Sequence, residues 1–367
     1  MTRRRIVIVH NWNEVGINIQ NRQLAYELSK LYDVWFLSGS RLGAKEIKVN
    51  DNLKVVEWPN KRPTKLKDLW FCWKFFKEIQ PDIVMAHFTG IRLSMIAAFF
   101  AGVRHRIAWY HILSKQLENL VNNKRKEKWM IRKFKSGFLF SNHIITFHEF
   151  GKKDAMDFLN KRANQISVIP NGMLLKDCTE KIGFELQRPV FLFLGRLHIS
   201  KGVDTLIKIF KIISEKYPEV QLKIVGEGDM GELLKEMILK SGLEKNVQMT
   251  GKTFSYEGVF GYLQNAYALL VPSRIDNYPT VIIEAMSSGV PVIGARSGGV
   301  PEMIKDGEDG FLCETENEND WAGKIELLIQ NKNLRNEMAA NAIQSYKERF
   351  TMDKHVENVI RFIESLK

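Results

Sequence analysis

Two spacings of apolar residues alternate along the chain. Short runs dense in valine, isoleucine, leucine and aromatic residues have the length of buried strands, and the stretches between them repeat apolar positions at helical spacing. The runs Arg5–Val9, Asp33–Leu37, Lys54–Trp58, Asp82–His87, Arg106–Tyr110, His143–Phe147 and Ile166–Pro170 form a first series of expected strands. From Met173 to Pro189 the pattern lapses into a polar, mixed segment, which reads as a linker between domains. A second series follows at Val190–Leu194, Gln221–Val225, Asn246–Thr250, Ala268–Pro272, Pro291–Ala295 and Gly310–Cys313. Two amphipathic helices, about Asn333–Arg349 and Met352–Leu366, close the chain. Short apolar runs alternating with amphipathic helices predict parallel sheets covered on both faces. The expected fold class is therefore α/β, two Rossmann-like domains in tandem. Ligands are expected beyond the carboxyl ends of the strands, in the cleft between the domains.

Composition narrows this picture. At 45% apolar and 26% charged residues, the 367-residue chain has the balance of a globular protein. Its longest uncharged apolar run, Leu93–Val103, falls short of the ~20 residues of a membrane span. Arg3, Arg4 and Arg5 precede only Ile6–Val9, less than the ~7 apolar residues of a signal peptide, so a cytoplasmic location is expected. Cys72, Cys178 and Cys313 lie far apart without ligand spacing, which argues against structural zinc and disulfides. The net charge of +12 is unevenly divided: residues 1–170 hold 30 Lys and Arg against 14 Asp and Glu, the remainder 24 against 28. A basic first half suggests a polyanionic partner, either nucleic acid or an anionic membrane surface. The cations gather at Lys61, Arg62, Lys65 and Lys67, ahead of an aromatic stretch (Trp70, Phe71, Trp73, Phe75, Phe76), and at Lys124–Lys135. Cations beside aromatics suit a bilayer surface, although solvated outer helix faces would read the same way.

Several motifs carry candidate chemistry. Gly226-Glu-Gly-Asp-Met-Gly231 formally fits a dinucleotide fingerprint, but the acid expected ~20 residues later is Asn246. A plain glycine-rich turn is the better reading. Gly251-Lys252-Thr253 lacks the first glycine of a P-loop, and no Asp-x-Asp occurs to hold a metal-bound diphosphate. Gly195-Arg-Leu-His-Ile-Ser-Lys201-Gly202 follows a strand and places two cations in one strand-to-helix loop. With the amides of the following helix, they could hold a diphosphate without a metal. A solvated basic loop is the alternative. In Ser273-Arg-Ile-Asp276-Asn-Tyr-Pro279-Thr-Val-Ile-Ile-Glu284, Asp276 precedes an expected helix and Glu284 lies more than a turn inside it. Glu284 among apolar residues needs a partner, which a sugar or ribose diol would supply as well as a nearby Arg or Lys.

Together these segments resemble the retaining glycosyltransferases of the GT-B fold, family 4. The family's G-R-x…K-G loop falls on Gly195, Arg196, Lys201 and Gly202, and its E-x7-E element on Asp276 and Glu284. Its later glycine pair and acid match Gly298, Gly299 and Glu302; Pro81–His87, His111 and Ile169–Gly172 match first-domain features. The resemblance implies a closing helix that crosses back, giving a first domain of 1–175 plus 350–367 on the acceptor side. Residues 176–349 would form the donor domain. It further implies that Arg196 and Lys201 hold the diphosphate, Asp276 and His111 contact the transferred sugar, and Glu284 binds the ribose. Gly16, Gly195, Gly226, Gly251 and the segment Asn277, Tyr278, Pro279, Thr280 and Val281 would line the donor. Two departures bear on the donor sugar: Asp276 stands where the family usually has Glu, and Asn277-Tyr278 where Gly-Phe is common.

The implied reaction transfers a sugar from a nucleotide sugar, the co-substrate, to a hydroxyl of a glycan or lipid-linked acceptor, with retention and with no cofactor or metal. The basic first domain would lie on the inner face of a membrane, with no nucleic-acid partner. The rival readings are a basic nucleic-acid-binding protein, which leaves Arg196, Lys201, Asp276 and Glu284 without a role, and another GT-B-type enzyme such as a phosphorylase or epimerase.

Overall fold

A computed structural model describes residues 3–12, 17–39, 44–60, 65–118, 124–174, 188–251 and 256–366. Gly16, Lys61, Arg62, Cys178, Lys252, Thr253 and most of the expected linker, 175–187, lie outside the described residues. The chain divides into two compact units, Met1–Gly172 with Met352–Lys367, and Met173–Thr351.

The first unit is built on eight strands: β1 (Arg5–Val9), β2 (Asp33–Ser38), β3 (Glu46–Asn50), β4 (Leu53–Glu57), β5 (Ile83–Ala86), β6 (His105–Trp109), β7 (His143–Thr146) and β8 (Ile166–Val168). They lie in the order β3-β4-β2-β1-β5-β6-β7-β8. Every neighbouring pair is parallel except β3 with β4. The central strand β1 has no polar position from Ile6 to Val9 and is buried throughout, as a strand covered on both faces must be. Strand β3 was not expected. Its Glu-Ile-Lys-Val-Asn sequence lacks a continuous apolar run because it is an edge strand, exposed along most of its length.

The second unit carries β9 (Val190–Leu194), β10 (Gln221–Val225), β11 (Val247–Met249), β12 (Ala268–Val271), β13 (Val292–Ala295) and β14 (Gly310–Cys313). All pair in parallel, in the order β11-β10-β9-β12-β13-β14. Helices Val203–Lys216 and Glu318–Gln330 pack together on this sheet, sealing Phe191, Phe210 and Trp321 into its core.

Strand order reverses once in each sheet, between β1 and β5 and between β9 and β12. Loops leaving the carboxyl ends of adjacent strands diverge there, and the crevice they leave is where open α/β sheets bind ligands.

The closing helix Met352–Ser365 belongs to the first unit, where it packs on helix Ile17–Leu28. One stripe of it, including Val356, Val359, Phe362 and Ile363, is buried. The Arg4 guanidinium donates to the Ile363 carbonyl (3.0 Å), and His355 Nδ1 donates to the Pro170 carbonyl (2.7 Å). The two chain segments leading between the units are themselves joined. The Met173 N–H donates to the Phe350 carbonyl (2.9 Å), and Met173 bridges Thr351.

Candidate active site

In the second unit, the loops after β9, β10 and β11 hold one another through backbone hydrogen bonds. The Gly195 N–H donates to Val225 (3.1 Å), Leu197 to Glu227 (2.9 Å), Gly226 to Gly251 (2.8 Å) and Met230 to Leu197 (3.1 Å). This explains the glycine-rich turn. A Cβ on Gly226 would lie 1.8 Å from the Gly195 carbonyl oxygen, so glycine is needed for loop against loop. Asn246, standing where a ribose-binding acid would be sought, donates to the Pro218 and Val220 carbonyls at 2.8 and 3.0 Å. The NAD reading thus loses both its glycines and its acid to packing.

Across the switch point, the loop after β12 meets the one after β9. Lys201 Nζ is ion-paired with Asp276 Oδ2, which also accepts from the Ser273 hydroxyl at 3.3 Å. Asp276 is only 7% exposed. Arg274 locks this junction. Its guanidinium grips both carboxylate oxygens of Asp204 at 2.8 Å and donates to Glu316 (2.9 Å) and to the Ile199 carbonyl (2.7 Å). Its own N–H donates to Ser200 (2.9 Å). Such a bidentate pair fixes geometry as well as charge. Gly298 closes the third side: a Cβ there would lie 1.9 Å from the Asp276 carbonyl oxygen, and Gly299 donates to that oxygen at 3.0 Å. Arg196 differs from Lys201. It is exposed, and its side chain has no hydrogen-bond or ion partner among the described residues.

Helix Thr280–Ser287 begins behind Asp276, with Pro279 at its N-cap and Gly289 just beyond its end. The fixed φ of proline and its missing N–H suit that start. Asn277 and Tyr278 are buried, and burial pushes the Tyr278 hydroxyl up in pKa. Thr280 and Val281 remain half-buried at the helix tip, where unpaired amides favour anions. Glu284 has no side-chain partner among the described residues, and burial lifts its pKa to about 7. Its surface is half-buried, yet protein surrounds the carboxyl closely enough for desolvation to dominate.

In the first unit, three histidines stand just past the strands at and beside the β1/β5 switch. His10 follows β1, His87 follows β5 and His111 follows β6. The His87 and His111 rings are joined, Nδ1 to Nε2, at 3.0 Å, and His10 lies 5.1 Å from His87, centroid to centroid. Among the described residues, His87 Nε2 is buried without a partner. Leaving a lone pair unmet costs less than leaving an N–H unmet, so His87 Nδ1–H donates to His111 Nε2. His111 then carries its proton on Nδ1, as a donor. Sequence reading identified His111 and placed His87 in a motif, but assigned nothing to His10 or Arg274. The recurrence of histidine at strand ends was the available signal for the first.

Burial keeps this group neutral. The pKa values of His10 and His355 fall to about 4, and those of His87 and His111 are also well depressed by desolvation. Unfolded histidines titrate near 6.5. The unfolded chain therefore binds more protons as pH falls through 6.5, and stability complete above that value drains away down to about pH 4. The thermal midpoint is expected to drop across this window, less steeply in His355→Gln. An equally steep drop in that variant would refute the assignment.

Among the described residues, no group of three or more His, Cys, Asp or Glu side chains could hold a metal ion. Residues 16–175 match the model for Glycosyltransferase Family 4, and residues 177–345 the model for Glycosyl transferases group 1. The chain belongs to the family 4-type glycosyltransferases. A glycosyltransferase of Haemophilus influenzae, itself described as uncharacterized, is 29% identical to it over 338 residues, covering 89% of this chain and 88% of its own. Among solved structures, this glycosyltransferase is similar to sucrose-phosphate synthase from Thermosynechococcus elongatus (TM-score 0.77, 18% identity, 99% of both chains). It is also similar to Anabaena HepE in complex with UDP and glucose (TM-score 0.76, 18% identity, 99% of this chain and 100% of that one). These likenesses fix the fold as GT-B, two Rossmann-like α/β domains.

Proposed function

We propose that this glycosyltransferase moves a sugar from a nucleoside-diphosphate sugar to a hydroxyl of a glycan or lipid-linked acceptor, retaining anomeric configuration and using protein cations in place of a metal. The carrying observation is the grouping at the β9/β12 switch of Lys201 against Asp276, with the guanidinium of Arg196 and the acid of Glu284, both without a side-chain partner among the described residues. A ligand with a dianionic centre and hydroxyls at its ends matches that set. The HepE complex supports the reading, since a protein of the same fold binds UDP and glucose.

As the anomeric carbon–oxygen bond breaks, its electron pair goes to the diphosphate. Arg196, Lys201 and the free amides at the tip of helix Thr280–Ser287 stabilise the charge that develops there. The acceptor oxygen bonds the anomeric carbon from the same face, and its proton passes to the departing phosphate. Asp276 accepts from sugar hydroxyls once the ligand's phosphates compete for Lys201. Glu284 accepts from the ribose, and His111 Nδ1–H donates to the sugar. The first unit would work at an anionic bilayer. Helices Leu66–Ile79, Ile91–Ala101 and Lys124–Phe138 pack in series and expose Trp70, Phe100 and Trp129, each above 60% accessible, among lysines and arginines. Among the described residues, no helix is long and apolar enough to cross a membrane.

A screen of UDP-, GDP- and ADP-sugars tests the reading. One nucleotide series should raise the thermal midpoint and be hydrolysed slowly, equally well with EDTA present, and transfer should preserve the donor's anomeric configuration. Silence with every nucleotide, dependence on added metal, or an inverted product would each contradict it.

A further inference from the structure

A cavity of about 320 Å³ opens in the first unit beside His111. Its walls are Ile91, Leu93, Trp109, Met130, Phe134 and Phe138, from helices Ile91–Ala101 and Lys124–Phe138 and the end of β6. Two further observations mark it as more than a packing defect. Phe88 lines its His111 end with the ring stacked on the imidazole at 3.9 Å, and holds a left-handed φ of +46°. A bulky residue rarely adopts that conformation, and such strain gathers where a ligand must be met. Arg92 and Lys133 also line it, bringing cations to a largely apolar wall. Lys133 also lies over the ring of Trp129 at 4.8 Å, and Trp129 is 63% exposed, so the cavity runs out to the basic aromatic face.

We propose that this cavity is the acceptor subsite, and that it takes the apolar chain of an amphiphile. The anionic phosphate of that amphiphile lies against Lys133 and Arg92, and its hydroxyl is presented toward His111. The assignment rests on the glycosyltransferase reading, in which His111 faces the transferred sugar. A free glycan does not suit these walls. Against Leu93, Met130, Phe134 and Phe138 its hydroxyls would be buried without partners. A hydrocarbon chain loses nothing there and gains burial in proportion to its area. The helix that forms the outer wall, Lys124–Phe138, holds seven Lys and Arg against one Glu, which selects for an anion on the chain it admits.

The probes are dodecyl phosphate, kept below its micelle-forming concentration, and uncharged 1-O-dodecylglycerol, each titrated calorimetrically into the full chain. Dodecyl phosphate should bind one to one. Met130→Trp, which fills the recess, should weaken both probes at least tenfold. Lys133→Glu should weaken the phosphate at least tenfold and spare the neutral probe. Because Lys133 is half-buried on a helix surface, that variant carries the test if Met130→Trp fails to fold. No saturable binding to the unmodified protein, or binding indifferent to both substitutions, overturns the proposal. So does capture by anionic vesicles that dodecyl phosphate cannot relieve, which would make the face a surface adhesive with no chain subsite. A concentration-dependent dimer abolished by Met130→Trp would assign the recess to a second copy instead. If no nucleotide sugar binds while dodecyl phosphate behaves as described, the reaction assignment falls and the amphiphile site stands.

Discussion

Replacing Arg196 or Lys201 by alanine is expected to lower turnover about 10²–10³-fold at saturating donor, the usual loss when one preorganised charge donor to a leaving group is removed. The two variants should part company in stability. The Arg196 side chain is exposed and has no partner among the described residues, so its removal takes nothing from the fold they form, and the thermal midpoint should stay within a degree or so. Lys201 neutralises Asp276, a carboxylate 7% exposed. Without it, a buried acid loses its charge partner, a change that typically costs about 3–5 kcal/mol in a fully buried pair and less here, where the lysine side chain keeps 26% of its surface exposed. Adding Asp276→Asn to Lys201→Ala should therefore restore much of the lost stability while leaving turnover low, a non-additivity expected of residues in contact. Near-normal turnover in both single variants would remove the diphosphate from this loop.

Much of this was legible in the chain, for physical reasons. A parallel strand buried on both faces must be apolar without interruption, and runs such as Val190–Leu194 and Gly310–Cys313 become strands with those same ends. Edge strand β3 escaped because it buries almost nothing and so carries no apolar signature. The site was legible where chemistry requires an unusual residue in a given place, as with an acid inside the otherwise apolar helix Thr280–Ser287. It was opaque where function depends on who meets whom. The sequence shows Arg196 and Lys201 as two similar cations, whereas folding leaves one free and pairs the other with Asp276. Arg274 sits in plain view between Ser273 and Asp276, but its grip on Asp204 spans 70 residues and has no local trace. The strain at Phe88 is likewise a property of the backbone and not of its letter.

Glu284→Gln is expected to make the free protein more stable and a poorer binder of nucleotide sugar. The folded-state pKa of about 7 exceeds the value near 4.3 of an unfolded glutamate. For an acid shifted upward, the native state holds a proton the unfolded state has released. The neutral form is tolerated below the unfolded pKa, and stability declines as pH rises from there to about 7. Above that pH the ionised carboxylate sits desolvated with no partner among the described residues, a burden of about 2 kcal/mol when discounted for its remaining exposure. Glutamine has the same shape without the charge, so at pH 8 the variant's unfolding free energy should exceed that of the parent by about that amount. At about pH 3, below the unfolded pKa, Glu284 is protonated in both states and the difference should vanish. Binding runs the other way, because ribose hydroxyls are donors and a carboxylate is the stronger acceptor. Donor affinity in the parent should rise as pH passes through 7, and in Glu284→Gln it should be at least tenfold weaker at pH 8 and lose that dependence. Stabilisation without loss of affinity would show that Glu284 faces no ligand, and loss of affinity without stabilisation would show that the carboxylate has a partner in the free protein. Only the two together identify an acid held ready, at a cost to the fold, for the hydroxyls of a ligand.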